Sequence, residues 1–248
     1  MKIKPLLVRF SGFHHNIRRI EEGATLMRWL SPRPGEKILD VGCGDGFFTE
    51  RMARKRAGVI GIDIRSKALA RARNRASGSN LVFLEMKAEE LDFPENYFDK
   101  IVSFCVIEHL QDDEKALRLL ARSLKPGGRL FLSADSLSSP GLKAREKENH
   151  RKRYGVNQFY SREVMARKLE QAGLRPERDQ FVLTGSMALW LTRLSWRLDD
   201  LGPVLRPLRF IGYLLLGTFG LIGLKLAEPP PDRRNHGLTL LVEASKPL

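Results

Sequence analysis

Short apolar runs alternate with longer amphipathic segments from residue 37 onward, and this alternation constrains the fold more than any other feature. The apolar runs occupy residues 38–41, 59–62, 81–84, 101–106 and 130–132. Helically spaced apolar residues fill the intervals at 47–56, 67–76 and 113–124. Strands that alternate with helices form βαβ units and a parallel sheet. The sequence therefore predicts an α/β fold with a doubly wound, mostly parallel sheet.

The flanking segments extend this pattern. Residues 21–30 form a predicted helix that ends in a Ser-Pro-Arg-Pro-Gly stretch, and residues 161–173 form another. A chain of 248 residues with 42% hydrophobic and 29% charged residues is typical of a globular protein, neither disordered nor a polytopic membrane protein. We expect one domain that carries an insertion.

Two cysteines, Cys43 and Cys105, both lie in or beside apolar runs, without a metal-ligand spacing or a paired framework around them. We expect two reduced thiols, no metal site and a cytoplasmic protein. Residues 1–10 lack the long apolar core and the small-residue cleavage site of a secretory signal, which agrees with that expectation.

A glycine-rich turn follows the first predicted strand and leads directly into a helix. Its spacing is G-x-G-x-G at Gly42, Gly44 and Gly46, not the G-x-G-x-x-G of a dinucleotide-binding turn. Glycines in such a turn let a ligand approach the backbone closely. Asp63 closes the second predicted strand, where a carboxylate can accept hydrogen bonds from both hydroxyls of an adenosine ribose. The pattern favours an adenosine-containing cofactor without a pyrophosphate.

Four stretches together resemble the class I S-adenosylmethionine methyltransferases, in particular the group that includes the ubiquinone and menaquinone methyltransferases. These stretches are Leu-Asp-Val-Gly-Cys-Gly-Asp-Gly at 39–46, Leu-Asp-Phe-Pro-Glu-Asn-Tyr-Phe-Asp at 91–99, Val-Ile-Glu-His-Leu at 106–110 and Leu-Lys-Pro-Gly-Gly-Arg-Leu at 124–130. The resemblance covers roughly residues 36–173. It implies S-adenosylmethionine as the cofactor.

The resemblance also implies a seven-stranded sheet whose last strand is antiparallel. Residues 178–183 and 238–242 fit its last two strands, and an apolar helical insertion then lies between them. The predicted organisation is an N-terminal helical cap at 1–35, a catalytic core at 36–183 plus 237–248, and the insertion at 184–236.

Cofactor-binding residues follow from the same resemblance. It implies contacts to the methionine portion, the ribose, the adenine edge and the sulfonium from Asp40, Gly42, Cys43, Gly44, Gly46, Asp63, Ile64, Lys87, Ala88, Glu89 and Cys105. One departure concerns Lys87, because relatives usually have an Asp there and a lysine offers no acceptor to the adenine amino group. Either the backbone or Glu89 then supplies that acceptor, or adenine is held more loosely.

His109 is the first candidate for a general base, because an unperturbed imidazole titrates near neutrality and this one follows a strand expected to border the cofactor. The alternative is local packing or capping. His150 and Tyr154 lie in the segment where relatives place acceptor-contacting residues, with ordinary loop contacts as the alternative. Glu108 is expected to cap a helix or face solvent rather than to act in catalysis.

The insertion has two apolar parts. An amphipathic helix is predicted from the spacing of Met187, Trp190, Leu191, Leu194, Leu198 and Leu201. An uncharged run at 210–224 follows, shorter than the ~20 residues that a membrane-spanning helix needs. We expect residues 187–226 to meet an anionic membrane surface, with a buried lid or a dimer contact as the alternative. The oligomeric state is left open.

The formal net charge of +14 attracts anions, whether lipid headgroups or nucleic acid. The sequence favours an enzyme that methylates an apolar or lipid-like small molecule at a membrane surface. A second hypothesis is an RNA methyltransferase, because eight basic residues lie on or beside the first two crossover helices: Arg51, Arg54, Arg56, Arg65, Lys67, Arg71, Arg73 and Arg75. A cofactor-binding scaffold without catalysis is the third.

Overall fold

A seven-stranded sheet forms the centre of the molecule in the computed structural model, which describes residues 17–76, 78–200 and 235–248 and the single residues 205, 212 and 215. The strands are β1 (Lys37–Val41), β2 (Gly58–Asp63), β3 (Leu81–Glu85), β4 (Phe98–Phe104), β5 (Leu124–Asp135), β6 (Arg175–Val182) and β7 (Thr239–Ser245). Their order across the sheet is β3-β2-β1-β4-β5-β7-β6. β7 runs antiparallel to both neighbours, and the strand pairs from β3 to β5 are parallel. The predicted fold class is confirmed.

Helices cover both faces of the sheet. They are α1 (Ile17–Leu30), α2 (Phe47–Ala53), α3 (Ser66–Arg75), α4 (Asp113–Ser123), α5 (Ala144–Tyr154), α6 (Arg162–Gln171) and α7 (Ser186–Asp199). Single turns of tighter helix occur at Ala88–Glu90 and Ile107–His109. The Asp112 and Ser161 side chains accept a hydrogen bond from the first turns of α4 and α6, as helix N-caps do.

Successive strand residues enter two separate cores because side chains alternate across a strand. Leu39 packs with Leu117 and Leu169 of α4 and α6 on one face of the sheet. Its neighbour Ile38 packs on the other face with residues of α1, α2 and α7, among them Leu26. This arrangement leaves the carboxyl ends of β1, β2, β4 and β5 along one edge, where open α/β sheets bind their ligands.

The helices differ from the sequence predictions in three main respects. α1 begins at Ile17 rather than residue 21, and α2 ends at Ala53 rather than residue 56, where Arg56 has a positive φ of 65°. α5 was not predicted at all, because its sequence AREKENHRKRY has almost no apolar periodicity and buries only His150. Residues 1–16, the first part of the predicted N-terminal helical cap, lie outside the described residues.

α7 is the part of the insertion that the structure describes at length. Its buried residues are Ala188, Leu189, Leu191, Thr192 and Ser195. The predicted apolar face matches this buried face only in part: Leu191 is buried and Leu194 and Leu198 are partly buried against the core, whereas Met187 and Trp190 are exposed. The inward face reads poorly as apolar because three of its five residues are Ala, Thr and Ser.

Between residues 201 and 234 the structure describes only three positions, residues 205, 212 and 215. The uncharged run at 210–224, apart from residues 212 and 215, therefore falls outside the described residues. Within the described part of the chain, every helix is too short or too polar to cross a membrane.

Candidate functional site

The turn between β1 and α2 places three glycines in the left-handed region, with φ of 71° at Gly42, 58° at Gly44 and 77° at Gly46. Gly46 is required by packing, since a Cβ there would lie 2.7 Å from the Phe83 ring. At Gly44 the nearest atom to such a Cβ is the Arg65 guanidinium, 3.6 Å away. Gly44 therefore presents open backbone at the end of β1, where a ligand can approach.

The Asp63 carboxylate joins the glycine turn to the end of β2. Its Oδ2 accepts a hydrogen bond from Gly44 N at 2.8 Å, and its Oδ1 accepts from Arg65 N at 2.9 Å. The Arg65 side chain donates to both oxygens, at 3.0 Å and 3.2 Å. Burial would raise the pKa of Asp63, but the bonds from Arg65 and Gly44 outweigh it and lower the pKa. An ionised carboxylate thus stands beside the open turn.

Asp40 lies beneath the glycine turn with one carboxylate oxygen unused. Thr49 Oγ1 donates to Oδ2 at 2.7 Å, whereas Oδ1 is buried and finds no partner in the described part of the chain. Burial raises the pKa of Asp40 to about 7, against the effect of the Thr49 bond. An orphaned acceptor next to open glycine backbone fits a ligand that carries donors, such as the ammonium group of an amino acid.

The segment predicted at the adenine edge lies beside the β3 end. Lys87 Nζ donates to Glu90 at 2.7 Å near the surface, and Glu89 accepts from Gln111 N at 3.1 Å. Ala88 is buried. Ile64, next to Asp63, is 64% exposed, so its side chain is accessible to a ligand at the glycine turn.

The two cysteines are both buried, and neither forms a disulfide. Burial raises the pKa of both thiols, so neither is a reactive thiolate. Cys105 has a positive φ of 49°, directly after β4, and its Sγ lies 3.1 Å from Glu22 of α1. Its side chain therefore turns toward α1, and its predicted role toward a cofactor stays a prediction.

The candidate bases occupy different environments. His109 is exposed, and its Nδ1 lies 3.1 Å from the Gly155 carbonyl oxygen. His150 on α5 is buried, and its Nε2 lies 2.6 Å from Asp135 Oδ2. Tyr154, one turn later, donates to Asp199 of α7 at 2.9 Å, and burial raises the pKa of its phenol to about 12. Only His150 joins the buried polar groups at the ends of β4 and β5.

Sequence reasoning missed two of these buried groups. Glu108 is 1% exposed, and both of its carboxylate oxygens lack a partner among the described residues, so the expectation of a cap or a solvated face is wrong. Burial raises the pKa of Glu108 to about 8, with the negative charge of Asp135 adding to the effect. Asp135 ends β5 and was not singled out, although an acidic residue closing an apolar strand is the same signal that identified Asp63.

Asp135 is held by side chains from two helices. Arg18 of α1 donates to its Oδ1, and His150 of α5 contacts its Oδ2. Burial would raise the pKa of Asp135, but the Arg18 charge and the His150 bond outweigh it and keep the pKa well below its usual range. Asp135 is therefore an anion at neutral pH, while nearby Glu108 is a neutral acid.

Ligand atoms of Cys105, Glu108 and Asp135 lie within 4.8 Å of one another, close enough to surround a small cation. The Arg18 guanidinium already binds Asp135, and its charge opposes a second cation at that carboxylate. We assign no metal to this group, and the expectation of a metal-free site stays a prediction.

The sheet order, the antiparallel β7, the glycine turn after β1 and the acidic end of β2 together define the class I fold of S-adenosylmethionine-dependent methyltransferases. Comparison with known sequences identifies the domain. Residues 39–132 match the family described as a methyltransferase domain, so the chain contains a domain of that kind.

Two curated relatives align with part of the chain. The ubiquinone/menaquinone biosynthesis C-methyltransferase of Vibrio cholerae is 43% identical over 108 residues, which are 40% of this chain and 41% of the relative. The ubiquinone biosynthesis O-methyltransferase of Pseudomonas fluorescens is 38% identical over 114 residues, 43% of this chain and 49% of the relative. The chain thus spans less than half the length of these relatives.

Solved structures share the fold over nearly the whole chain. A [4+2]-cyclase, SpnF, superposes with a TM-score of 0.67 at 20% identity, covering 92% of this chain and 81% of its own. Phosphoethanolamine N-methyltransferase 2 of Haemonchus contortus, solved with S-adenosylmethionine, gives 0.66 at 18% identity over 92% of this chain and 53% of its own. At these identities the likeness shows the fold, and a fold shared with a cyclase does not fix the reaction.

Proposed function

We propose that this chain transfers a methyl group from S-adenosylmethionine to an apolar, quinone-like acceptor at a membrane surface. The methyl-transfer part of the proposal is based on the polar groups at the carboxyl ends of β1 and β2. Open backbone at Gly44, the ionised Asp63 and the orphaned oxygen of Asp40 lie around the same glycine turn. This is the donor and acceptor set that an amino acid joined to a nucleoside requires.

Each part of the cofactor has matching residues in this chain. Asp63 accepts the ribose hydroxyls, Asp40 with the glycine backbone receives the methionine portion, and Ile64 packs against the adenine face. The Ala88 backbone and Glu89 border the adenine edge, and Lys87 stays with Glu90. The bound cofactor supplies a sulfonium methyl group, and the chain's own task is to align the acceptor and to exclude water.

The acceptor class is proposed from the names of the curated relatives and from the aromatic side chains around His150. The curated relatives act, by their names, in ubiquinone and menaquinone biosynthesis, which points to a ring of quinone type. Beyond the β5 end, Tyr154, Phe159 and Trp196 stand around His150, with ring centroids 4.5, 6.4 and 5.5 Å from the imidazole. Such aromatic walls suit a flat apolar acceptor.

The membrane part of the proposal is based on α7. Trp190 is 56% exposed and Met187 38% exposed on the outward side of a helix whose inner side packs on the core. Tryptophan at a helix surface inserts readily into the headgroup region, and a chain of net charge +14 is attracted to anionic lipid. Arg193 is not available for that attraction, because it binds Glu146 at 2.7 Å.

Two binding experiments test the cofactor part and the membrane part of the proposal separately. We expect isothermal titration with S-adenosylhomocysteine to give micromolar binding that Asp63→Ala abolishes. In co-sedimentation with phosphatidylglycerol vesicles, Trp190→Ala should lower the bound fraction about fivefold, the loss of roughly 1 kcal/mol of apolar burial. Val82→Ala removes a half-exposed apolar residue from β3, at the far edge of the sheet, and should change nothing.

RNA methylation remains the second candidate, and one observation favours it. A groove of about 940 Å³ between α1 and α2 is lined by Phe47 and Phe48 together with Arg19, Arg28, Arg51, Arg54 and Lys55. The sequence had given no sign of such an aromatic and basic surface, because α1 contributes part of it. Methyl incorporation into RNA that falls steeply with salt would establish this function, whereas salt-sensitive binding alone would report only charge.

The scaffold hypothesis makes a different prediction. A cofactor-binding protein without catalysis would bind S-adenosylhomocysteine and transfer no methyl group to any acceptor offered. Transfer of tritium from labelled S-adenosylmethionine to a reduced naphthoquinone or to RNA would contradict it.

A further inference from the structure

The ends of β4 and β5 hold a group of buried ionisable side chains. Asp135, His150, Glu108 and Cys105 lie there with Arg18 and Glu22 from α1, and we call these six residues the strand-end cluster. Thr239 of β7 completes the hydrogen bonds, donating to Glu22 and accepting from Arg18. Buried charges that merely filled space would cost stability, so their arrangement calls for a chemical reason.

The hydrogen bond between Asp135 and His150 fixes the tautomer of the imidazole. Asp135 is ionised and offers only acceptors, so Nε2 must carry the proton in the 2.6 Å contact. Nδ1 then carries the free lone pair when the ring is neutral. This atom is buried and has no hydrogen-bond partner among the residues that the structure describes.

The groups around His150 keep the ring neutral. Burial lowers its pKa, outweighing the bond from Asp135, and the charges of Arg18 and His109 lower it further. Tyr154 and Trp196 contribute aromatic faces, and Glu108 is mostly protonated at neutral pH because burial raises its pKa to about 8. A neutral imidazole with one oriented, unoccupied lone pair is a proton acceptor, and its carboxylate partner stabilises the charged ring that results.

We propose that His150 is the general base for an acceptor that carries a ring hydroxyl, and that Asp135 is its positioning residue. The inference rests on the proposed methyl-transfer function and deepens it by naming the acceptor class as phenols. The acceptor O–H bond breaks, its proton passes to Nδ1, and the electron pair stays on the oxygen as a phenolate nucleophile. Methylation forms an O–C bond at that oxygen as the sulfonium C–S bond breaks and leaves its electron pair on the sulfur of neutral S-adenosylhomocysteine. The imidazolium then returns the proton to water.

A phenol that reports its own ionisation tests this without turnover. We use 4-nitrophenol, whose phenolate absorbs in the visible, added to the protein saturated with S-adenosylhomocysteine. The bound probe should ionise about one pH unit below the free probe, a tenfold change in the ionised ratio, because the imidazolium stabilises the phenolate. His150→Gln keeps a donor toward Asp135 but accepts no proton, and should abolish the shift.

Two further variants sharpen the result. Glu148→Gln changes an exposed carboxylate on the same helix and should leave the shift intact. His109→Gln compares the two candidate bases: a shift lost there and kept in His150→Gln would overturn the proposal. So would a wild-type protein that binds S-adenosylhomocysteine but not the probe, or that binds the probe without a shift.

Nitrogen-15 NMR of the histidine side chains gives an independent readout of positioning. The proposal predicts the Nε2–H tautomer for His150 at pH 7, and the Nδ1–H tautomer would contradict it. Calorimetry on the same samples separates the two levels of inference. Failure to bind S-adenosylhomocysteine defeats the proposed function, whereas normal binding with an unshifted probe defeats only the assignment of His150.

Discussion

The two ends of the sheet edge handle charge in opposite ways. At β1 and β2 the ionised Asp63 is bonded mainly to backbone N–H groups and to an exposed arginine from the same turn. At β4 and β5 the ionised Asp135 is bonded to a buried arginine and a buried histidine from two different helices. The first carboxylate can exchange its partners for a ligand, whereas the second is part of what holds the helices on the sheet.

The largest effect is expected when the second carboxylate is removed. Asp135→Ala removes the carboxylate to which the buried Arg18 guanidinium donates and takes the partner from His150. Breaking a buried ion pair from one side costs about 3–5 kcal/mol. Urea unfolding followed by circular dichroism should show a loss of that size in the free energy of unfolding. A loss below ~1 kcal/mol would mean that Asp135 does not fasten α1 and α5.

Asp63→Ala should weaken ligand binding strongly and change the free energy of unfolding little. It removes two charge-assisted hydrogen bonds to a ribose, each about 1.5–3 kcal/mol, so affinity for S-adenosylhomocysteine should fall by a factor on the order of 100 or more. The free energy of unfolding should change by less than ~1 kcal/mol, since its protein partners are an exposed side chain and backbone groups that water can satisfy. Unfolding of this variant together with lost binding would erase the contrast between the two ends.

Glu108 gives a pH-dependent form of the same contrast. Its pKa is about 8 in the folded chain and about 4.3 when unfolded. A carboxyl group whose pKa is raised by folding contributes stability at low pH, and this contribution is lost as pH rises from about 4.3 through 8. The free energy of unfolding of the wild type relative to Glu108→Gln should therefore fall by a few kcal/mol between pH 5 and 9.

Folding also raises the pKa of Asp40. Because Asp40 is unchanged in Glu108→Gln, its contribution is the same in both proteins and cancels in this difference. A difference that stays constant with pH would show that the Glu108 carboxyl is paired or solvated in solution.

The same contrast explains what the sequence could and could not predict. The cofactor end is formed by two short stretches of sequence, residues 39–46 and 58–63, so the strand, the turn and the carboxylate could be predicted together. In the strand-end cluster Arg18 bonds to Asp135, which lies 117 positions away in the chain. Glu22 of the same cluster bonds to Thr239, which lies 217 positions away. No local pattern records such pairs. α5, which supplies His150, lacks the apolar period that would have identified it as a helix.

The smallest effect concerns Arg65, whose side chain is 61% exposed while it occupies both oxygens of Asp63. The four hydrogen bonds to that carboxylate fill its acceptor sites, so ribose hydroxyls can bind only when the guanidinium moves away. Giving up an exposed ion pair costs about 0.2–1 kcal/mol. Arg65→Gln should therefore tighten S-adenosylhomocysteine binding by roughly 1.5- to 5-fold, measured by calorimetry. Arg71→Gln, which removes an equal charge from the exposed face of α3, separates this competition from the overall field. Weaker binding in Arg65→Gln alone would instead mean that the guanidinium contacts the ligand, and Asp63 would then share the cofactor with Arg65 rather than exchange one for the other.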